Sequence, residues 1–103
     1  MPVVVTAVFH PREGRTAELI EALRTSIPAV HGEQGCRLYA IHDAEDGTIT
    51  MIEKWDTAAA LDAHAAGPAV QALEAAVAGL TARPATVTRM RPLPAGTAEQ
   101  GAL

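Results

Sequence analysis

The sequence is poor in the residues on which several classes of protein depend. A single cysteine among 103 residues excludes an internal disulfide and agrees with a reducing compartment. Only 8 Lys and Arg residues stand against 12 Asp and Glu residues, without a basic cluster that could bind nucleic acid or an anionic membrane. No apolar run reaches the roughly 20 residues of a membrane span, and the amino terminus has no basic segment followed by an apolar one. We therefore expect a cytoplasmic protein that binds neither nucleic acid nor membranes.

Motifs for metals, nucleotides and covalent catalysis are also missing. The four histidines, His10, His31, His42 and His64, show no His-x-His, His-x-x-x-His or Glu-x-x-His spacing, so we predict no metal site. There is no glycine-rich phosphate loop, no Gly-x-Ser-x-Gly and no cysteine pair. These absences argue against a nucleotide-dependent enzyme, a serine hydrolase and a thiol oxidoreductase.

The residues that are present predict one folded domain with four strands. Hydrophobic residues make up 49% and charged residues 19% of the chain, a balance typical of globular proteins and far from that of disordered ones. Asp46-Gly47 suits the positive φ angles of a tight hairpin turn between the second and third strands. Apolar and β-branched runs predict strands at residues 3–9, 37–43, 48–56 and 85–90.

Amphipathic helices are predicted between these strands. The first has Thr16 as a candidate N-cap, and Pro28, which lacks an N–H, is expected to kink or end it. Thr57 is expected to cap the second, which Gly67-Pro68 interrupts. The last residues are rich in Pro, Gly and Ala, so we expect a domain over residues 1–94 and a flexible tail over residues 95–103.

The order βαββαβ predicts an α+β, ferredoxin-like fold with a four-stranded antiparallel sheet and both helices on one face. The other face needs a partner, because the first strand is apolar on both sides: Val4 and Val8 lie opposite Val5, Ala7 and Phe9. A second copy of the chain is the simplest cover, since two-fold dimers are the commonest oligomers. We expect a homodimer.

Three polar or aromatic residues are predicted to converge on the helix-covered side. Met51, Glu53 and Trp55 share one face of the third strand, and His64 lies on the inward stripe of the second helix. An inward histidine close to an inward glutamate and tryptophan suggests a site. The alternative from spacing alone is that Trp55 only fills the core and His64 is a buried histidine with its hydrogen bonds satisfied.

The same residues carry a family resemblance over roughly residues 3 to 92. Gly35-Cys36-Arg37-Leu38-Tyr39, then Glu53-Lys54-Trp55-Asp56, then Ala60-Leu61-Asp62-Ala63-His64 and Pro68 are similar to a run found in the antibiotic biosynthesis monooxygenase family of the dimeric α/β-barrel superfamily. The combined spacing is more specific than any one motif within it.

The resemblance implies a cleft between sheet and helices in each protomer and two sheets packed into a dimeric α/β barrel. It implies oxidation of a quinol, anthrone or similar phenolic, polyketide-like molecule by dioxygen, without metal, flavin or other cofactor. His64 would be the base, with Glu53 and Trp55 as further catalytic residues. The candidate substrate-binding residues are Tyr39, Arg89, Phe9 and Met51.

Two other functions stay open at this point, because fold does not fix function. A same-fold isomerase could use His64 and Glu53 as an acid/base pair next to a carbonyl group. A non-catalytic, small-molecule binding or stress-related dimer would use His64 and Trp55 only to shape a pocket. Haem cleavage is disfavoured, since the haem-degrading relatives use an Asn on the first strand and this strand has none.

Overall fold

Strands and helices alternate in the predicted βαββαβ order, with the second helical segment divided in two. The computed structural model describes all 103 residues. Its elements are β1 (Val3–Pro11), α1 (Thr16–His31), β2 (Cys36–Asp43), β3 (Ile49–Trp55), α2 (Ala58–Ala65), α3 (Pro68–Val77) and β4 (Thr81–Met90). No helix is long and apolar enough to cross a membrane.

The four strands form one antiparallel sheet in the order β2-β3-β1-β4, as the ferredoxin-like prediction requires. The helices cover one face of the sheet. On that face Val5, Ala7 and Phe9 of β1 are buried, while the residues between them, which point to the other face, stay partly exposed. Leu19 and Leu23 of α1 are fully buried in the same core. The period-two pattern of β1 thus places the core on one side of the sheet.

The opposite face of the sheet is open and apolar at its centre. The registers place Thr6 of β1, Ile52 of β3 and Ala40 of β2 in one row on this face, and all three are partly buried within the single chain. Val4 and Val8 lie on the same side. This is the face on which we expect a second copy, and the homodimer remains a prediction.

The predicted N-cap of α1 is wrong, and α1 does not end at Pro28. Arg15, not Thr16, occupies the N-cap position, and its side chain makes no capping hydrogen bond; its guanidinium instead pairs with Glu18 one turn on. Pro28 lies inside the helix, which continues to His31. The missing N–H of Pro28 removes only the bond to the Arg24 carbonyl, and Val30 beyond it is fully buried in the core.

β4 begins at Thr81, four residues before the predicted start. The register with β1 moves from Thr86 opposite Val8 to Arg83 opposite His10, so the β4 strand has one extra residue there. Pro84 lies in this bulge on an edge strand, where a residue without an N–H costs no ladder bond. The presence of Pro84 therefore explains why the sequence pattern predicted only the later part of β4.

The β2–β3 turn and the break between α2 and α3 lie where the sequence predicted them. Gly47 has a φ of +87° in the β2–β3 hairpin, where Asp46 Oδ1 accepts hydrogen bonds from the N–H and the hydroxyl of Thr48. Gly67 and Pro68 separate α2 from α3, with Pro68 in the first turn of α3. Residues 95–103 contain no helix or strand. The boundary of the domain at residue 94 stays a prediction.

Candidate active site

One row of side chains crosses the whole sheet on its helix-covered face. Tyr39 of β2 pairs with Glu53 of β3, which pairs with Val5 of β1, which pairs with Arg89 of β4. Directly opposed residues of antiparallel strands point to the same side, so these four form a continuous line beneath the helices. A carboxyl group thus lies between a phenol and an aliphatic side chain, with a guanidinium at the edge.

Helix α2 places His64 above this row. The hydroxyl of Thr57 accepts a hydrogen bond from the Ala60 N–H at 3.1 Å and fixes the start of the helix, as predicted. Leu61 and His64, three residues apart, then form its buried stripe. The imidazole lies 4.6 Å from the Trp55 ring centre at an angle of 31°, and 5.4 Å from that of Tyr39 in an edge-on arrangement. Aromatic packing therefore holds the His64 ring in place.

A cleft of about 220 Å³ opens between the sheet and helices α2 and α3. Ten of its 14 lining residues are hydrophobic. The sheet side consists of Val5, Ala7, Phe9, Tyr39, Glu53, Val87 and Arg89, and the helix side of Leu61, His64, Ala65, Val70, Leu73, Glu74 and Val77.

Three polar side-chain atoms of the buried lining residues have no partner within the chain. His64 Nε2, the Tyr39 hydroxyl and Glu53 Oε2 make no hydrogen bond, whereas every fully buried side-chain nitrogen or oxygen has one. These three atoms therefore keep accessible surface, although His64 and Glu53 are only 4% and 5% exposed as residues. Together with the exposed Glu74 carboxylate and Arg89 guanidinium, they are the polar groups of the cleft that can bond a ligand.

The surroundings of Glu53 and Tyr39 favour their neutral forms. Burial raises the pKa of Glu53 above its ordinary value, and the Trp55 N–H, His64 and Arg89 oppose that rise only in part. Trp55 Nε1–H donates to Glu53 Oε1 at 3.0 Å. Burial likewise raises the pKa of Tyr39, and the nearby Glu53 and Glu33 carboxylates add to the effect. Tyr39 is thus a neutral hydroxyl donor over the whole physiological range.

The sequence motifs did not single out Glu33, which contacts His64 directly. Its Oε1 lies 2.7 Å from His64 Nδ1, and the Glu33 side chain is 22% exposed. Glu33 belongs to the short connection between α1 and β2, 31 residues before His64, so no helical or strand periodicity links the two. The only sequence signal is its position between Gly32 and Gly35.

The predicted site residues divide into two groups. Five line the cleft: His64, Glu53, Tyr39, Phe9 and Arg89. Trp55 and Met51 are completely buried and do not line it, although Trp55 contacts both His64 and Glu53 from behind. The structure therefore places Trp55 where it can support the other two residues, while the roles predicted for all seven remain predictions.

Arg89 lies at the mouth of the cleft. Its guanidinium donates to Asp62 Oδ1 of α2 at 2.8 Å, an exposed pair that spans the gap between the sheet edge and the helix. Exposed pairs of this kind contribute little to stability, about 0–1 kcal/mol. Arg89 is accordingly free to exchange Asp62 for an anionic group on a ligand.

No group of three or more His, Cys, Asp and Glu side chains could hold a metal ion. Cys36 is partly buried, and burial together with the neighbouring Glu33 raises its pKa, so the thiol is protonated at neutral pH.

Comparisons with known proteins agree with this geometry. Residues 2–76 match the family model described as antibiotic biosynthesis monooxygenase. The protein named putative monooxygenase Rv0793, from Mycobacterium tuberculosis, is 34% identical over 93 residues, which cover 89% of this chain and 92% of the relative. The structure of Rv0793 superposes with a TM-score of 0.84 at 33% identity over 94% of this chain and 100% of the other.

More distant structures share the fold. Protein SO0527 from Shewanella oneidensis has a TM-score of 0.77 at 32% identity over 86% of this chain and 88% of its own. A putative antibiotic biosynthesis monooxygenase from Nitrosomonas europaea reaches 0.80 at 19% identity, over 86% of this chain and 88% of its own. The resemblance drawn from the motif residues and the ferredoxin-like fold are both confirmed.

Proposed function

The chain belongs to the antibiotic biosynthesis monooxygenase family, and from that premise we propose that its cleft oxidises a small quinol, anthrone or similar phenolic molecule with dioxygen. The proposal includes that no metal, flavin or other cofactor takes part. Such molecules become electron-rich enough to reduce dioxygen once they lose a proton. The protein then has to bind the substrate, remove the proton and exclude bulk water.

The observation that carries the proposal is the placement of three free polar atoms of buried residues in a mostly apolar cleft. His64 Nε2 can accept a proton from the substrate, while the neutral Tyr39 hydroxyl can donate a hydrogen bond to an oxygen of the ring system. The aliphatic lining from Val5, Leu61 and Leu73 suits the faces of a planar ring.

The size of the cleft favours the smaller members of the substrate class. Pockets for drug-sized ligands have volumes of about 300–1,000 Å³, whereas this one has about 220 Å³. We therefore expect molecules with one or two fused rings to be better substrates than three-ring anthrones. Arg89 at the mouth can neutralise the anion that deprotonation creates.

The proposed reaction balances without an outside reductant, as an anthrone illustrates. His64 removes one proton from the reactive CH₂ carbon, and the resulting anion gives electrons to dioxygen, forming a carbon–oxygen bond and then a hydroperoxide. The hydroperoxide loses its second C–H proton as the O–O bond breaks, which leaves a carbonyl and water. The substrate supplies all four electrons, so one oxygen atom enters the product and the other becomes water.

A homodimer is part of the proposal. The open sheet face carries Val4, Val8 and Ile52, which a second copy would bury if the two sheets packed against each other as a dimeric barrel. Each protomer keeps its own cleft in such an arrangement, because the cleft lies on the other side of the sheet.

Dioxygen uptake by chelator-treated protein tests the proposed activity. Hydroquinone, 1,4-naphthohydroquinone and anthrone serve as probes, with the uncatalysed oxidation of each subtracted. We expect uptake with at least one probe and a loss of about 10²–10⁴ in rate for His64→Gln, the usual contribution of a positioned acid/base group. The melting temperature of His64→Gln should change little. Uptake no faster than the uncatalysed rate for every probe would contradict the proposal.

A second candidate rests on the same cleft, since Glu53 and His64 both line it and both can move protons. An isomerase that shifts a proton next to a carbonyl group would use that pair. It would turn over equally well without dioxygen, whereas the proposed oxygenase would stop. A comparison of aerobic and anaerobic turnover separates the two.

A further inference from the structure

We infer that Glu33 is a positioning residue for His64: its carboxylate fixes the imidazole in the Nδ1–H tautomer, so that the lone pair of Nε2 faces the cleft. The inference rests on the proposed function in one respect, the role of His64 as base. It adds a residue, and an orientation of the proton, that the family motif in this chain does not contain.

Glu33 and His64 are in direct contact. An ionised carboxylate can only accept hydrogen bonds, so the nitrogen 2.7 Å from Glu33 Oε1 must carry a proton. A neutral imidazole has one protonated nitrogen, which leaves Nε2 as the atom with the lone pair. Nε2 is also the nitrogen without a partner in the chain, and His64 lines the cleft.

The position of the His64 ring and the place of its proton have different causes. Trp55 and Tyr39 pack on the His64 ring at 4.6 Å and 5.4 Å between ring centres and hold it in place. Neither offers a hydrogen bond to either ring nitrogen. Ring position therefore follows from packing, while the choice of tautomer depends on Glu33 alone. Loss of the carboxylate should change the tautomer and leave the position of the ring.

The loop that carries Glu33 lies close against helix α2. Gly35, at a φ of +83°, lies so close to α2 that a Cβ would stand 2.6 Å from the Ala60 Cβ. The Gly35 carbonyl also accepts a hydrogen bond from the Asp56 N–H at 2.8 Å, which ties the connection to the end of β3. A side chain at Gly35 is excluded both by its backbone conformation and by this contact.

Gly67 lies beside the Glu33 carboxylate at the other end of α2. A Cβ there would lie 3.1 Å from the Ala63 carbonyl oxygen and 3.6 Å from Glu33 Oε2. The carboxylate thus fits between the end of α2 and the loop that carries it. The Glu33 loop therefore lies close to the helix that carries His64 near both of its ends, at Ala60 and beside Gly67.

Nitrogen-15 NMR of the imidazole side chains tests the inference without any substrate. In the unmodified protein, the His64 signals should show a protonated Nδ1 and an unprotonated Nε2 at a pH where the ring is neutral. Glu33→Gln has almost the same shape but can donate through its amide, so the ring should shift towards the Nε2–H form. Glu45→Gln removes a carboxylate from the exposed β2–β3 turn and should leave the tautomer unchanged.

Glu33→Asp keeps the carboxylate and serves as the second variant. It should retain the Nδ1–H form in the folded protein, although it is shorter by one methylene. An Nδ1–H signal that persists in Glu33→Gln, or an Nε2–H form in the unmodified protein, would overturn the inference. Thermal unfolding of each variant confirms that the spectra come from folded protein.

The rate measurement adds a functional result. With a probe that the unmodified protein oxidises, Glu33→Gln should lower kcat by about 10²–10⁴, the range for loss of an oriented base, with KM nearly unchanged. A rise in KM at constant kcat would contradict a positioning role. If no probe is oxidised, the proposed function fails while the NMR result still decides the role of Glu33.

Discussion

At Glu53 a carboxyl group is held where little water can reach it. Its residue is 5% exposed, and one of its oxygens accepts a hydrogen bond from the Trp55 indole. A single hydrogen bond does not replace the hydration of a carboxylate, so burial raises the pKa of Glu53. Folding therefore shifts Glu53 towards its protonated form, in which the carboxyl donates as well as accepts hydrogen bonds.

The raised pKa of Glu53 makes the stability of the protein depend on pH. A carboxyl whose pKa is higher in the folded than in the unfolded chain binds more protons when folded, so its contribution to stability is lost as the pH rises above the ordinary value of 4.5. Glu53→Gln cannot ionise and keeps an acceptor for the Trp55 N–H. The melting temperature of Glu53→Gln, relative to that of the unmodified protein, should therefore be higher at pH 7 than at pH 4.

Thermal unfolding of both proteins at the two pH values provides the test. Glu45→Gln, at an exposed position, is the matched control. Its melting temperature relative to that of the unmodified protein should be the same at both pH values. A constant difference in melting temperature between Glu53→Gln and the unmodified protein would show that Glu53 is ionised as easily when folded as when unfolded.

Among the helices, α2 is the shortest and has the most direct role in the site. It has only eight residues, too few for a helix to be stable alone, yet it positions His64 and contacts the Glu33 loop. Its start depends on the hydrogen bond from the Ala60 N–H to the Thr57 hydroxyl. The stability of α2 should therefore respond to the loss of this cap.

Thr57→Ala should lower the free energy of unfolding by about 1 kcal/mol, the typical cost of removing an N-cap side chain. Urea unfolding of the purified protein measures it. Thr25→Ala is the matched control: the Thr25 hydroxyl bonds only the Glu21 carbonyl within α1, and alanine is the better helix former. Equal losses in the two variants would show that the Thr57 cap does not stabilise α2.

Sequence patterns alone were sufficient to predict some of the elements and not others. The strands, the hairpin at Gly47 and the break at Gly67-Pro68 follow from local periodicity and turn chemistry, so they could be predicted. The start of β4 could not, because Pro84 is compatible with a strand only at a bulge on the sheet edge, and that context is tertiary. The prediction that α1 could end at Pro28 also depended on tertiary context, since the helix continues to His31 and buries Val30 in its last turn.

The candidate site was predictable to the extent that it lies on regular elements. Glu53, Tyr39 and His64 have orientations that period-two and three/four spacing reveal. Glu33 was not predictable, because a loop has no periodicity and its distance from His64 depends on how closely Gly35 approaches α2. The full burial of Trp55 and Met51 also depends on the depth of the cleft, which spacing does not report.

At the scale of the whole molecule, the open sheet face is the main unsatisfied surface. Ile52 lies at its centre, between Thr6 of β1 and Ala40 of β2. A lysine there would place a charge in the interface that we propose. Ile52→Lys should therefore convert a dimer at low micromolar concentration into a monomer, measured by light scattering.

The control for this change is Ala75→Lys, on the exposed side of α3, which should remain a dimer. A stable, folded monomer of the unmodified protein would contradict the proposed assembly. If Ile52→Lys remained a dimer, the two copies would have to meet through another surface.

Isotope labelling during turnover tests the central claim most directly, namely that the cleft of each protein molecule transfers an oxygen atom from dioxygen to its substrate. The chelator-treated protein is supplied with ¹⁸O₂ and with anthrone, or with an analogous one- or two-ring probe that it consumes, and the product is analysed by mass spectrometry. The account predicts one ¹⁸O atom in each product molecule and one in water, at a rate that falls about 10²–10⁴-fold in His64→Gln. A product that forms without ¹⁸O, or at the same rate with His64→Gln, would contradict it.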